Sequence, residues 1–394
     1  MIGENASRPA SGVTLDNWQT APQLCWSFQH IADLFPTAAI PRGSGPVQPL
    51  PAGLSPVGDI PVVLYDGTRS ATGAVMSATD TDAWMVMHRG VVLAEEYLNG
   101  MAPGTRHLLM SVSKSLIATV AGALAADGTL ELDRPVSDYV PELARSGYAG
   151  AHIRHLLDMR SGIAFSEDYL DPAAEVRLLE QAIGWAPRRD PDVPGTMYDF
   201  LLTLRKKGPH GGPFEYRSCE SDVLGWACEA AAGAPMPELM SRLLWSRIGA
   251  EQDASIAVDS VGTGMFDGGI SAVLRDLARF GAMILADGTS LTGQQVVPAA
   301  WVHDTVTGGP DSRAAFAAGP VDTGMPGGMY RNQFWIPYTG TGVLLCLGIH
   351  GQMIYINRMA QLVAVKLSSW PLPQDALKIF ATIRAFDAIA AWAS

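Results

Sequence analysis

Apolar residues follow two rhythms along this chain. Short runs of β-forming residues, Ala83–Met87 and Val91–Tyr97 on either side of Arg89-Gly90, predict two strands joined by a tight turn. Similar runs near the C-terminus, Gln333–Trp335, Val343–Ile349, Met353–Ile356 and Leu362–Leu367, predict four more. Elsewhere the spacing is helical. From about Met110 to Ala126, Leu116, Val120, Ala123 and Leu124 recur on one face, and Asp127-Gly128 stops the helix with a glycine suited to a left-handed cap. The segments Ile153–Met159, Pro172–Ala182, Tyr198–Arg205, Ser221–Ala232 and Pro237–Arg247 also read as helices, as do Val273–Ala286 and Ala376–Trp392. The Pro/Gly-rich stretch Ala38–Gly58 reads as an extended wrap over the surface. Strands at both ends with helices between them predict an α+β chain: an antiparallel sheet flanked by helices, with an inserted helical lobe. The expected division is residues 1–150 plus 265–394 for the sheet lobe and 151–264 for the helical one.

Composition narrows the function. A chain of 394 residues exceeds one ordinary core, which suits two lobes. Its 39 acidic against 27 basic residues give a net charge of −12 and no basic patch, which argues against a nucleic-acid partner. The clean apolar runs Leu116–Ala126 and Val343–Ile349 fall short of the ~18–20 residues a membrane span needs. The start, MIGENASRPASG, has neither a basic nor an apolar leader region, so a cytoplasmic location is expected. Cys25, Cys219, Cys228 and Cys346 lack metal-ligand spacing and read as small buried apolar residues.

The chemistry begins at Ser111-Val112-Ser113-Lys114, where a helix starts. Positions three apart share one face of the first turn, so Lys114 can reach the Ser111 hydroxyl. A desolvated, neutral lysine at the positive end of a helix can accept a serine proton, the Ser–Lys form of nucleophile activation. The motif alone is weak, because a serine cap followed by a solvated lysine has the same pattern. No other lysine in the chain has a serine three residues before it.

The wider context resembles the serine β-lactamase and penicillin-binding family, class C type. LLMSVSKSLIATVAGALAADGTLELDRPVSDYVPEL is similar to the first box of that family and its helix. IRHLLDMRSGI (Ile153–Ile163) is similar to the opening of the helical lobe. FEYRSCESDVLGW (Phe214–Trp226) resembles the second box, and FDGGISAVLRDLARFGAMIL (Phe266–Leu285) the later Gly-Gly helix entry. The resemblance runs over roughly residues 80–370.

It implies an acyl-enzyme on Ser111, with Lys114 as proton acceptor and Tyr216 delivering a proton to the leaving group. Ser218 would fix Lys114 or cap a helix. Ile349-His350-Gly351 would stand in the third box on an edge strand, with the Ile349 main-chain N–H pairing with that of Ser111 as an oxyanion hole. The family has Lys-Thr-Gly there; His350-Gly351-Gln352 departs from it, and a largely neutral histidine is a poor anchor for the carboxylate of a β-lactam. Amidases of the same family place a tyrosine where Tyr169 stands, against the leaving nitrogen, and an acid near Glu180 toward a free amine of the substrate. Asp267 would border the pocket, and Trp185 and Trp370 would form apolar walls, although a lone tryptophan is more often a core residue.

His152 and His155 have helical spacing but no acidic partner at zinc-site distance. No G-x-S-x-G elbow, P-loop or G-x-G-x-x-G occurs, so no cofactor and no metal are expected. Three functions stay open: a serine hydrolase of linear amides, a carboxylesterase on the same scaffold, and a penicillin-recognising protein that acylates without turnover. The resemblance also suggests a homodimer acting on a small-molecule substrate.

Overall fold

In the computed structural model, residues 12–320 and 324–394 are described; the leader expectation falls on residues 1–11, outside them. The main sheet has seven antiparallel strands in the order Val91–Tyr97, Thr81–His88, Leu362–Ser368, Gln352–Asn357, Val343–Gly348, Phe334–Ile336 and Met329–Arg331. N-terminal and C-terminal strands meet where Val365 pairs with Met85. The central strands are buried along nearly their whole length. Continuous burial needs cover on both faces. Leu274–Leu285 packs on the sheet centre, while Ala376–Ala393 packs on the Gln352–Asn357 strand and on the Pro61–Val63 strand.

All six expected strands, and the helices read at 110–126 and 376–392, have bounds within two residues of those read from the spacing. Periodicity missed a second sheet. Thr37–Ile40, Ala254–Ala257, Ile270–Ala272 and His107–Leu108 form a four-stranded antiparallel sheet. These segments are two to four residues long, too short to show a period of two. The first lies inside the expected surface wrap, so that wrap is partly strand. The boundary expected at 264/265 also falls within this sheet, between Ala254–Ala257 and Ile270–Ala272.

The small sheet positions the site. His107–Leu108 leads directly into the Ser111 helix, and Ile270–Ala272 follows Asp267. The Leu109 N–H donates to the Ile270 carbonyl at 2.8 Å, and the Ile270 N–H donates to Ser113 Oγ at 3.2 Å. The helix Val112–Ala126 then runs buried beneath the main sheet and packs against Ser218–Ala232. Among the described residues no helix is long and apolar enough to cross a membrane.

Candidate active site

Ser111 stands at the N-cap of its helix, following a non-glycine residue in the left-handed region, Met110 at φ 46°. Such a conformation costs of order 1–3 kcal/mol and persists only where packing enforces it. Met110 is buried, and the turn aims Ser111 at a cavity of about 850 Å³.

Behind Ser111 lies Lys114, fully buried. Its Nζ is 3.0 Å from Ser111 Oγ, 3.1 Å from Ser218 Oγ and 2.7 Å from the Asp267 carbonyl oxygen. The Asp267 carboxylate is a further 3.6 Å contact. Nζ also sits 5.3 Å from the centre of the Tyr216 ring, whose phenol interacts with both Ser111 and Lys114. Tyr216 is held in turn by stacking on Trp335 with ring centres 5.4 Å apart. Serine, lysine and tyrosine thus converge from the starts of two packed helices, and Ser218 touches Lys114 as the second-box resemblance implied.

The electrostatics differ from the expectation of a neutral lysine. Burial pushes the Lys114 amine toward neutrality, but Tyr216, Asp267, Glu167 and Asp222 together raise its pKa above the ordinary lysine value. The resting group is an ammonium, with hydrogen-bonding partners for all three protons. Two carboxyls stand close together behind it. Asp222 Oδ1 accepts the Asp267 N–H at 3.0 Å, while Asp222 Oδ2 and Asp267 Oδ1 are buried without partners. Burial and the neighbouring Asp267 push the Asp222 carboxyl well above its usual range.

The third-box strand, Val343–Gly348, is an interior strand rather than an edge strand. It nevertheless pairs with Phe334–Ile336 only at Leu345–Trp335, so its last residues project past that neighbour toward Ser111. Gly348 is required there, because a Cβ would stand 2.5 Å from the Leu109 carbonyl oxygen. Ile349 follows and lines the cavity with Ser111. His350 does not. It turns back at φ 60°, its Nδ1 is 2.7 Å from the Trp370 carbonyl, and burial pushes its pKa down to about 4. The histidine shapes the turn, and its neutral ring packs edge-on to Phe28.

Three more expected cavity residues lie elsewhere. Glu180 is held by both oxygens on Arg177 Nη1 at 2.8 Å and accepts from Gln19 at 2.9 Å, so its charge is spent inside the protein. Trp185 packs between Trp18 and Phe35 in the core. Asp267 sits behind Lys114 instead of bordering the cavity. Trp370 does form a wall, anchored by its Nε1–H on the Thr79 carbonyl at 2.7 Å and pressed against Gly351.

Tyr169 lines the cavity, and beside it is a residue that sequence reasoning passed over, Glu167. This carboxylate is half-buried; it accepts the Tyr169 hydroxyl at 2.6 Å and the Ser218 main-chain N–H. Its signal was an acidic residue two positions from Tyr169, just after the buried Phe165. Glu175 and Glu215 add acid to the wall, and Lys207 is paired to Glu215 at 2.5 Å. Among the described residues no group of three or more His, Cys, Asp or Glu side chains is placed to hold a metal ion. His152 and His155 stack on each other and cap their own helix.

This arrangement has counterparts. The family model described as Beta-lactamase matches residues 70–387. The 6-aminohexanoate-dimer hydrolase of Paenarthrobacter ureafaciens is 42% identical over 367 residues, covering 92% of this chain and 90% of that protein. A Bacillus anthracis structure provisionally described as a 6-aminohexanoate-dimer hydrolase superposes with a TM-score of 0.88 at 26% identity, covering 98% of this chain and 99% of the other. A family VIII carboxylesterase shares the fold, with a TM-score of 0.60 at 14% identity over 87% of this chain and 99% of that one. A serine presented by a left-handed turn before a buried lysine, a family match across most of the chain and a relative aligned over nearly all of it lead to one conclusion: the chain belongs to the beta-lactamase family and is a serine hydrolase.

Proposed function

We propose that this protein hydrolyses linear amides of the 6-aminohexanoate-dimer type through an acyl-enzyme on Ser111. The observation that carries the reading is the convergence of Ser111, Lys114 and Tyr216 on a cavity that Tyr169 also lines. The name of the 42% identical relative supports the substrate class.

Ser111 Oγ attacks the carbonyl carbon while its proton passes into the Lys114–Tyr216 pair, which carries one proton fewer in the active form. The main-chain N–H groups of Ser111 and Ile349 receive the developing oxyanion, an effect worth roughly 3–4 kcal/mol in such sites. Tyr216 gives a proton to the nitrogen as the C–N bond breaks, and the amine departs. Water then attacks the ester carbonyl, one of its protons returns to Ser111 through the same pair, and the carboxylic acid leaves. A substrate amine finds acid at Glu175 on the cavity wall, the role that Glu180 cannot fill. Trp335, Met325, Ile349, Phe380 and Trp370 supply apolar walls for a methylene chain.

The test is turnover of 6-aminohexanoate dimer beside p-nitrophenyl esters, with intact mass of the acyl-enzyme. The reading predicts release of 6-aminohexanoate by the wild type and none by Ser111→Ala. Fast ester turnover with no cleavage of the dimer would move the assignment to a carboxylesterase.

A further inference from the structure

Tyr169 has one hydroxyl proton, and its direction decides which substrates the phenol can meet. We propose that Glu167 fixes this direction, so that Tyr169 presents only lone pairs to the cavity and selects substrates whose leaving atom carries a hydrogen. The inference deepens the proposed amidase function and rests on it for the placement of the leaving nitrogen beside Tyr169.

Both oxygens of Glu167 are engaged by donors. One accepts the Ser218 main-chain N–H, which cannot reverse its polarity. The other accepts the Tyr169 O–H at 2.6 Å. Burial, and then the adjacent Glu167, raise the Tyr169 pKa well above its ordinary value, so it remains a phenol with that single proton committed.

Arg177 anchors the main chain that carries the ring. Arg177 donates from Nε at 2.9 Å and Nη2 at 2.7 Å to the Tyr169 carbonyl, and its guanidinium lies 5.7 Å from the ring centre. Glu180, bound to Arg177 Nη1, completes the clamp from behind. The acid expected at the substrate amine thus holds the group that holds Tyr169.

A hydroxyl oxygen that has spent its proton can only accept. The N–H of a secondary amide donates to it in the ground state and still does so once the nitrogen becomes pyramidal and takes its second proton from Tyr216. An ester oxygen offers only lone pairs and meets repulsion at the same point, and a tertiary amide has no hydrogen to give. A hydrogen bond demanded by a buried site discriminates strongly against a substrate that lacks its half. Glu167 is therefore a positioning residue that acts through Tyr169.

Glu167→Gln inverts the device. The Ser218 N–H requires the carboxamide oxygen, which turns the carboxamide NH₂ toward Tyr169. Tyr169 then accepts and directs its own proton into the cavity. The experiment compares kcat/KM for a secondary amide and its isosteric ester in the wild type, Glu167→Gln, Tyr169→Phe and the double variant. Glu167 also faces Lys114, so loss of its charge changes both rates, and the amide-to-ester ratio cancels that shared part.

The expected result is a fall in the ratio of about tenfold or more in Glu167→Gln, with no further fall when it is added to Tyr169→Phe. An unchanged ratio, or an equal fall in the Tyr169→Phe background, would overturn the proposal. Should the wild type cleave no amide, the function assigned above fails, and the polarity of Tyr169 is then read from the ester alone: Glu167→Gln must change its kcat/KM more favourably with Tyr169 present than in the Tyr169→Phe background, which cancels the shared effect on Lys114, and equal changes would overturn the proposal. Should Glu167→Gln not fold, the wild type carries the test through N-methylation of the amide. That change must cost the wild type at least tenfold more than it costs Tyr169→Phe, and equal costs would overturn the proposal.

Discussion

Two lysines of this chain are completely buried, and their surroundings drive them in opposite directions. Lys114 is ringed by Tyr216, Asp267, Glu167 and Asp222 and is held charged. Lys366, on the strand beside Trp370, meets the Thr79 carbonyl at 2.9 Å, the Ser368 hydroxyl and the Trp370 ring, with Asp82 and Asp80 acting only from farther off. Burial dominates there and pushes its pKa down to about 7. Depth alone therefore does not set the charge of a buried lysine; the carboxylates within reach do. The lysine proposed to handle protons is the one whose charge is compensated, while the other supports a cavity wall.

The sharpest way to break the comparison is the same substitution at both places. Lys114→Met should lower kcat by roughly four orders of magnitude or more, whereas Lys366→Met should stay within about tenfold of the wild type, measured on one substrate. Comparable losses would mean that Lys366 also takes part in the chemistry. Next in size, Tyr216→Phe should lower kcat by about 10²–10⁴-fold with a modest change in KM, as expected for removal of a proton donor.

Stability separates the two sites as well. Lys114→Met leaves Asp267 and Glu167 without their cation, a change that typically costs about 3–5 kcal/mol in urea unfolding near pH 7.

The charge states make two predictions about pH. Asp267 raises the Lys114 pKa, so Asp267→Asn must lower it and increase the deprotonated fraction at a given pH. The rising alkaline limb of kcat/KM should shift to lower pH by roughly one unit. A shift to higher pH would contradict the compensation argument. Lys366 is opposite in sign. Its folded pKa of about 7 lies below the unfolded value, so between the two the unfolded chain binds the extra proton. Its contribution to stability increases as pH rises from about 7 toward 10, with a slope of up to roughly 1.4 kcal/mol per pH unit. Lys366→Met should flatten that slope, as read from denaturant midpoints across the range. Lys114 contributes little in this window, because its folded pKa lies above the unfolded one and its stabilisation is lost only as pH rises through that value.

Long elements were legible because their periods repeat. The helix Val112–Ala126 and the strands around Met85, Ile354 and Val365 were apparent from spacing alone. The strands Thr37–Ile40 and Ile270–Ala272 were not, for want of length. Among site residues, Ser111 and Lys114 were legible because three residues on one helical turn fix their relation, and the second-box resemblance supplied Tyr216 and Ser218. Glu180, Trp185, His350 and Asp267 were misplaced at the cavity, since which neighbour takes a charge or covers a ring depends on chain far away. Gln19 and Trp18, from near the N-terminus, claim Glu180 and Trp185.

The sequence by itself determined that Ser111 and Lys114 share one helical turn, and it determined the strands and helices that carry them, because each follows from local spacing. Only the tertiary structure decided the charge on Lys114, the raised affinity of Asp222 for a proton and the direction of the Tyr169 hydroxyl. Those depend on side chains from positions 167, 218, 222 and 267 meeting within a few ångströms of one another. Where burial keeps most water away the electrostatic interaction among them is strong, and no pattern along the chain measures the distances that set it.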